Sequence, residues 1–530
     1  MANSKNISPK VMGLMLLGLF VFLPSRAQLR LNFDKNSPML KLGMAERVIT
    51  DRYVDSVSES QLVEDAIRGM LEKLDPHSSY STAREAKAMN EPLLGDFEGI
   101  GVQFNMLEDT LVVIQPVHNG PSEKVGILAG DRIVSVNDTA IAGVKMAQTD
   151  IMRRLRGRKG TRVRLGIVRR GVAGVTEYTV VRANIPLHTV DASYMIRPRV
   201  GYIRLGSFGM TTYKEMMAAV DSLRGQGMKS LVIDLQENGG GFLQAATQVT
   251  NEFLRCDAMI VYTQGRAQKR QEFKADGHGR LQGERVIVLV NEYTASAAEI
   301  LSGALQDHDR ALVVGRRTFG KGLVQAPIPF PDGSMMRLTV AHYYTPSGRC
   351  IQKPYVKGAR EDYALDIEHR LKHGELTNRD SIHFADSLKY YTLKRHRVVY
   401  GGGGIMPDEF VPLDTMKFTR LHRALVARNI ILSTALNYID SHRKELHGKY
   451  ASFEVFDKTY DVPAFLLDSI LAEGERQGVK PADEAERTRT LTYLRYQLKA
   501  FVARDLWGMN GYFRIWNEHN DIVRRALELL

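Results

Sequence analysis

Arg285-Val-Ile-Val-Leu-Val290 leads through Asn-Glu-Tyr into Thr294-Ala-Ser296-Ala-Ala-Glu299-Ile-Leu301, and this junction decides the fold. An unbroken apolar run ended by polar residues is the pattern of a strand buried on both faces. Thr294 then offers a helix cap, and the following residues to about 305 keep helical periodicity. Working outward, residues 200–205 and 231–235 read as further strands, and 211–224 and 242–255 as helices. Tyr213, Met216, Val220 and Leu223 share one face of the first helix. With strands at 311–314 and 335–344, the central chain is an α/β layer structure.

The same junction carries candidate chemistry. A serine hydroxyl needs a base within hydrogen-bond reach to act as a nucleophile. Lys321 lies 25 residues beyond Ser296, in Gly320-Lys-Gly-Leu-Val-Gln325, flanked by Phe319, Leu323 and Val324. Apolar surroundings lower a lysine's pKa because desolvation disfavours the ammonium. Gln325, four residues on, is placed to orient the amine without adding charge. Ser296 is expected at a helix start, where unpaired N–H groups and the dipole favour a developing negative charge. Asn238-Gly239-Gly240-Gly241 follows the 231–235 strand, and its glycines allow N–H groups close approach to an oxyanion. The N–H groups of Gly240 and Ala297 are the expected donors.

Before this core the texture differs. Residues 38–90 read as a helical region, with periodic segments at 39–49 and 61–74, and Asp75-Pro76-His77-Ser78-Ser79-Tyr80 after them. From Phe97-Glu-Gly99-Ile100-Gly101-Val102 onward, short β-like runs alternate with glycine turns. A glycine loop beside a strand edge can bind a carboxylate while the strand pairs with an extended peptide. Residues 97–185 resemble a PDZ domain, with Gly99, Ile100, Gly101 and Val102 as the implied tail-binding loop. Nine Lys and Arg residues crowd 153–170, but Val163, Leu165 and Ile167 alternate there as in a half-buried strand. A solvated strand face is therefore expected, and no nucleic-acid partner. Beyond Gly401-Gly-Gly-Gly404 the chain turns helical, at 416–446, 464–477, 484–506 and 516–530.

These motifs, in this order, resemble the C-terminal processing peptidases, or tail-specific proteases. The resemblance spans 38–408 and includes Asp234-Leu-Gln-Glu-Asn-Gly-Gly-Gly241, Thr318-Phe-Gly-Lys-Gly-Leu-Val-Gln325 and Tyr343-Tyr-Thr-Pro-Ser-Gly-Arg349. It implies a crotonase/ClpP-like α/β peptidase core (190–408, with 38–90) and a β-rich PDZ insert (97–185); the helical region 410–530 exceeds what the best-known members share and has no role assigned by the resemblance. It implies Ser296 as nucleophile, Lys321 as general base and Gln325 as orienting residue, with no cofactor and no metal. The implied partners are proteins with free apolar C-termini, an adaptor or regulator protein, and further copies of the same chain. Two positions depart from the family's loop: Gln236 stands where an arginine is usual, and Gly239 where a proline is.

At 530 residues, 44% hydrophobic and 25% charged, the chain has the make-up of a folded multidomain protein. The net charge of +12 favours anionic partners in general but specifies no reaction. Lys5 and Lys10 precede the apolar stretch 11–23, and Ser25-Arg26-Ala27 offers small residues for cleavage, so 1–27 reads as a secretory signal. Export to a bacterial periplasm follows, with an inner-membrane anchor if the signal stays uncleaved. Cys256 and Cys350 lack a spacing signature and are expected as two free buried thiols.

Two other readings compete with a Ser-Lys peptidase. One is an inactive scaffold that binds tails through its PDZ domain. The other is a His-dependent protease, against which the trypsin-like Gly-Asn-Ser-Gly-Gly signature is absent and His308 and His342 read as structural. The terminal Leu529-Leu530 has the character of a tail that such a PDZ domain would bind.

Overall fold

A computed structural model describes residues 37–107 and 109–530. The expected signal at 1–27 lies outside the described residues. The chain divides into a short unit up to Ile67 and a large unit from Arg68 onward. The short unit contains the helix Pro38–Arg52, which buries none of its side chains, and most of Glu59–Glu72.

The large unit is built on a six-stranded sheet in the order Val190–Arg197, Val200–Leu205, Ser230–Asp234, Arg285–Val290, Leu312–Gly315, Glu409–Phe410. The first pair is antiparallel and every later pair parallel. Parallel neighbours require crossovers, and the helices Thr212–Gly225, Leu243–Asn251 and Ala297–Asp307 lie in them. Val286, Val288 and Val290 face a core shared with those helices. Ile287 and Leu289 face the opposite way, onto Ile522, Val523 and Ala526 of the helix Asp521–Glu528. The continuous apolar run therefore reflects two separate cores, and the end of the chain supplies the second.

A second, antiparallel sheet runs Ser79–Ser81, Met335–Tyr344, Met259–Gln264, Gln271–Lys274, with Leu323–Pro329 also paired to Met335–Tyr344. Ser79–Ser81 belongs to the Asp75-Pro-His-Ser-Ser-Tyr80 motif, so strand pairing brings that motif against the peptidase core. The helix Ala83–Leu94 follows it, within the region 38–90 expected to be helical but running four residues beyond it.

The inserted domain leaves and returns through one antiparallel ribbon, Asp96–Gly99 against Ala183–Pro186. Between them Val102–Leu107, Thr110–Pro116, Arg132–Val136, Arg162–Val168 and Thr176–Val181 form a sheet around Leu111, Val113, Ile133 and Leu165. Arg162 and Arg164 are exposed while Val163 and Leu165 are buried, as the alternation requires.

After Phe410 the chain is helical. The segment expected as one helix at 416–446 breaks into Arg420–Ala427 and Ile430–Lys449, because Asn429 takes a left-handed turn with φ 57°. Glu484–Asn517 continues past the expected end at 506 through a kink at Trp507 and Gly508. Two expectations need correction. Cys256 is free but exposed, in the exposed turn 255–257, and Cys350 is free and only half-buried, between Arg349 and Ile351, whose side chains are the ones that fill the interior. Leu529 and Leu530 are not an available tail: their carbonyl oxygens accept from Arg285 at 2.6 and 2.7 Å, and both pack into the second core.

The end of the serine-bearing helix is pinned by a buried ion pair. Arg349 donates to Asp307 Oδ1 and Gln306 Oε1, both at 2.7 Å, and to the Tyr400 carbonyl at 3.0 Å. Both charged side chains are fully buried. Removing one member strands the other charge, so Arg349→Met is expected to cost about 3–5 kcal/mol of stability, measured by urea unfolding.

Candidate active site

Ser296 is itself the N-cap residue of the helix Ala297–Asp307. Thr294, the expected cap, instead ties the preceding turn: its hydroxyl donates to the Leu235 carbonyl at 2.7 Å and accepts from Asn291 N–H at 2.9 Å. Ser296 has φ 59° and ψ −117°, a conformation that L-residues rarely adopt. Such strain persists only where the surroundings over-determine it. Here they do: the Ser296 N–H donates to Glu299 Oε2 at 2.8 Å, and its carbonyl accepts from Tyr343 Oη at 3.1 Å.

Glu299 joins the serine to the lysine loop. Its fully buried carboxylate accepts from Thr318 Oγ1 at 2.5 Å, Gly320 N–H at 2.7 Å and Lys321 N–H at 2.9 Å, besides Ser296 N–H. Burial pushes its pKa up to about 7, against the pull of these hydrogen bonds. Four donors converging on one buried acceptor fix the backbones of Ser296 and Lys321 relative to each other. The helix position of Glu299, three residues after the serine, was visible in the sequence; its partners, some 20 residues on, were not.

Burial likewise lowers the Lys321 ammonium below its usual 10.5, with the Glu299 carboxylate opposing. That favours the free amine a general base requires. Ser296 Oγ and Lys321 Nζ make no hydrogen bond to each other. Gln325 sits just past a register shift in its strand; its Nε2 donates to Thr339 Oγ1 at 3.2 Å, and the expected orienting bond, accepted by its amide oxygen from the Lys321 amine, is not formed. Thr339 Oγ1 in turn donates to Asp75 Oδ1 at 2.9 Å.

Asp75 and His77 are site neighbours that sequence reasoning did not single out. Burial alone would raise the Asp75 carboxyl, but hydrogen bonds from Ser78, His77 and Thr339 outweigh it and hold it below its ordinary value. His77 bonds Tyr363 Oη at 3.0 Å. Burial, then the Lys321 charge, push its imidazole down to about 4.

The glycine loop lies against the serine. A Cβ on Gly240 (φ 98°) would come within 2.7 Å of Ser296 Cβ and 2.9 Å of Ala297 N, so no larger residue fits. Of the two expected oxyanion donors, Ala297 N–H has no acceptor among the described residues. Gly240 N–H donates to Asn238 Oδ1 at 2.8 Å. In the inserted domain, Phe97, Ile100, Gly101, Val102, Phe104, Met152, Leu155 and Arg156 line one pocket. The N–H groups of Ile100 and Gly101 have no acceptor among the described residues, whereas Gly99 lies in the ribbon opposite Ala183. No group of three or more His, Cys, Asp or Glu among the described residues is arranged to hold a metal ion.

The chain is 35% identical over 344 residues to the carboxy-terminal processing protease CtpA of Bacillus subtilis (strain 168), covering 63% of this chain and 73% of that protein. It is 39% identical over 312 residues to the carboxy-terminal-processing protease of Bartonella bacilliformis, covering 58% and 70%. The chain belongs to the carboxy-terminal processing proteases. Residues 199–364 of this protease match peptidase family S41, a serine peptidase family, and 99–177 match a PDZ domain. Residues 25–84 match the activating protease CtpB N-terminal domain, and 421–508 a family of unknown function (DUF8443). Among solved structures, the photosystem II D1 C-terminal processing protease is 30% identical, with 58% of this chain and 83% of that one covered and a TM-score of 0.32.

Two outcomes follow for the protease. Glu299→Gln turns an amide N–H toward donors, and kcat is expected to fall about tenfold or more, read by peptide cleavage. His77 is held neutral in the fold, so on acidification the unfolded chain takes up its proton first, near pH 6.5. Its share of stability is complete above that pH and is lost as pH falls towards about 4. Urea unfolding across this window should show a shallower loss in His77→Gln.

Proposed function

We propose that this protease is an exported endopeptidase that takes hold of a substrate protein by its free apolar C-terminus and cleaves upstream through a Ser296–Lys321 acyl-enzyme mechanism. The observation that carries the reading is the buried Glu299 carboxylate, which binds the backbones of both residues at once.

In this reading the neutral Lys321 amine takes the Ser296 hydroxyl proton as Oγ attacks the scissile carbonyl. Their hydrogen bond forms when substrate excludes water from the site, as catalytic bonds left open in a free enzyme commonly do. Ala297 N–H and Gly240 N–H, the latter turning from Asn238, receive the oxyanion; each such donor is worth about 2.7–4 kcal/mol. The lysine then protonates the leaving amine, and water releases the acyl group with the lysine again as base. Gln325 acts at one remove, holding Thr339 and through it Asp75 beside the lysine loop.

The tail is captured in the pocket lined by Ile100, Val102, Phe104 and Met152, its carboxylate on the N–H groups of Ile100 and Gly101. Export rests on the 1–27 signal and places the activity in a periplasm, with association into oligomers and an adaptor protein as further features of this reading.

Cleavage of a tail-bearing protein is the test. Ser296→Ala and Lys321→Ala should each lower kcat by about a thousandfold or more while tail-peptide affinity is unchanged. Full cleavage by Ser296→Ala would sink the mechanism. The Lys321 limb of the kcat/KM profile should rise with pH, with its midpoint below 10.5.

A further inference from the structure

The 234–241 loop is held from two sides. From within the core, Gln236 N–H donates to Asp234 Oδ1, Glu237 N–H to Asn291 Oδ1, and Asn238 Nδ2 to the Leu205 carbonyl, at 2.8–2.9 Å. From the other side comes the end of the chain. Asn520, in the turn between Glu484–Asn517 and Asp521–Glu528, donates from Nδ2 to Gln236 Oε1 at 3.2 Å. This is the sole side-chain hydrogen bond of Gln236 among the described residues, and its Nε2 is buried without a partner. Directly after it, Glu237 takes φ 63°, a turn unfavourable for a residue with a side chain.

Arg204 completes the clamp. It donates to Asp234 Oδ2 at 2.8 Å and to the Gln236 carbonyl at 2.9 Å, and its guanidinium lies 4.7 Å from the ring centroid of Phe513. Phe513 is itself fixed, because its carbonyl accepts from Tyr194 Oη, which also accepts from Asn517 Nδ2. The turn carrying Asn520 is anchored beyond as well, by Ile522 and Val523 in the second core. The match to the family of unknown function stops at 508, short of all these residues.

We propose that the last segment of the chain, through Asn520 and Phe513, is a positioning element of the active site that holds the 236–241 loop in the shape its oxyanion donors require. The proposal rests on the reading that this loop serves the oxyanion. A fixed loop keeps Gly240 against Ser296, so that only its N–H has to turn from Asn238 Oδ1 to the oxyanion, and the less the donors reorganise the more they stabilise. Substrate capture, in the inserted domain, does not depend on it.

Asn520→Ser separates this role from folding. Asn520 Oδ1 also caps its helix, accepting from Ile522 and Val523 N–H at 3.0 and 3.3 Å. Serine caps a helix as well as asparagine does but is too short to reach Gln236. In the full chain, Asn520→Ser and Gln236→Met, which keeps the buried volume but removes the acceptor, are each expected to lower kcat about three- to tenfold, with KM, tail-peptide affinity and urea stability unchanged. The double variant should be no slower than the slower single one, because both remove the same bond. Phe513→Leu should act in the same direction. Unchanged kcat in both single variants, losses that multiply in the double one, or a loss that tracks stability or KM would each overturn the proposal. Full cleavage by Ser296→Ala would instead overturn the mechanism beneath it, so the two failures are told apart.

Discussion

The carboxylate of Glu299 is the point on which the site depends. A fully buried carboxylate is unfavourable unless hydrogen bonds compensate it, and here Ser296, Thr318, Gly320 and Lys321 all donate to it. Those donors come from two separate stretches of backbone, one entering the helix Ala297–Asp307 and one leaving the strand Leu312–Gly315. Satisfying a single buried charge therefore sets the position of the serine and the lysine together. The positive φ of Ser296 is tolerable because its own N–H is one of the four bonds.

Around this point the supports come from distant parts of the chain. Asp75 and His77 enter by way of the Ser79–Ser81 strand paired to Met335–Tyr344, and Arg349 and Asp307 pin the far end of the serine's helix. Asn520 and Phe513 arrive from the last helices. The inserted domain stands apart from these contacts on its ribbon. Besides the stem, Arg132 pairs with Asp440 of the helix Ile430–Lys449 at 2.9 Å and Arg156 with Glu91 of the helix Ala83–Leu94, so the pocket surface is separate from the Ser296 surface while the domain is held at more than one point.

Much of the architecture was legible in local pattern. The apolar runs at 231–235 and 285–290 are strands, and the alternation at 162–168 is a half-exposed strand. Less legible were features set by single backbone angles or by packing. Asn429 splits an apparently continuous helix with one left-handed residue. Thr294 looks like a cap but bonds across to Leu235, since the strand next to it offers a carbonyl at the right height. The terminal Leu529-Leu530 looks like a free tail, yet the apolar second face of the sheet must be covered, and these residues help to cover it.

The sequence by itself determined which chemistry was on offer: a serine at a helix start, a lysine between glycines, a glycine loop, and a PDZ domain placed before them. It could do so because each is a short motif whose meaning lies in neighbouring residues. Only the tertiary structure decided what holds these motifs in place, namely Glu299 across two loops, Asp75 beneath Thr339, and Arg204 and Asn520 on the loop at 236–241. Hydrogen bonds between residues as far apart as Gln236 and Asn520 leave no trace in spacing or periodicity. They exist only once burial has brought distant polar groups together and left them no water to bind.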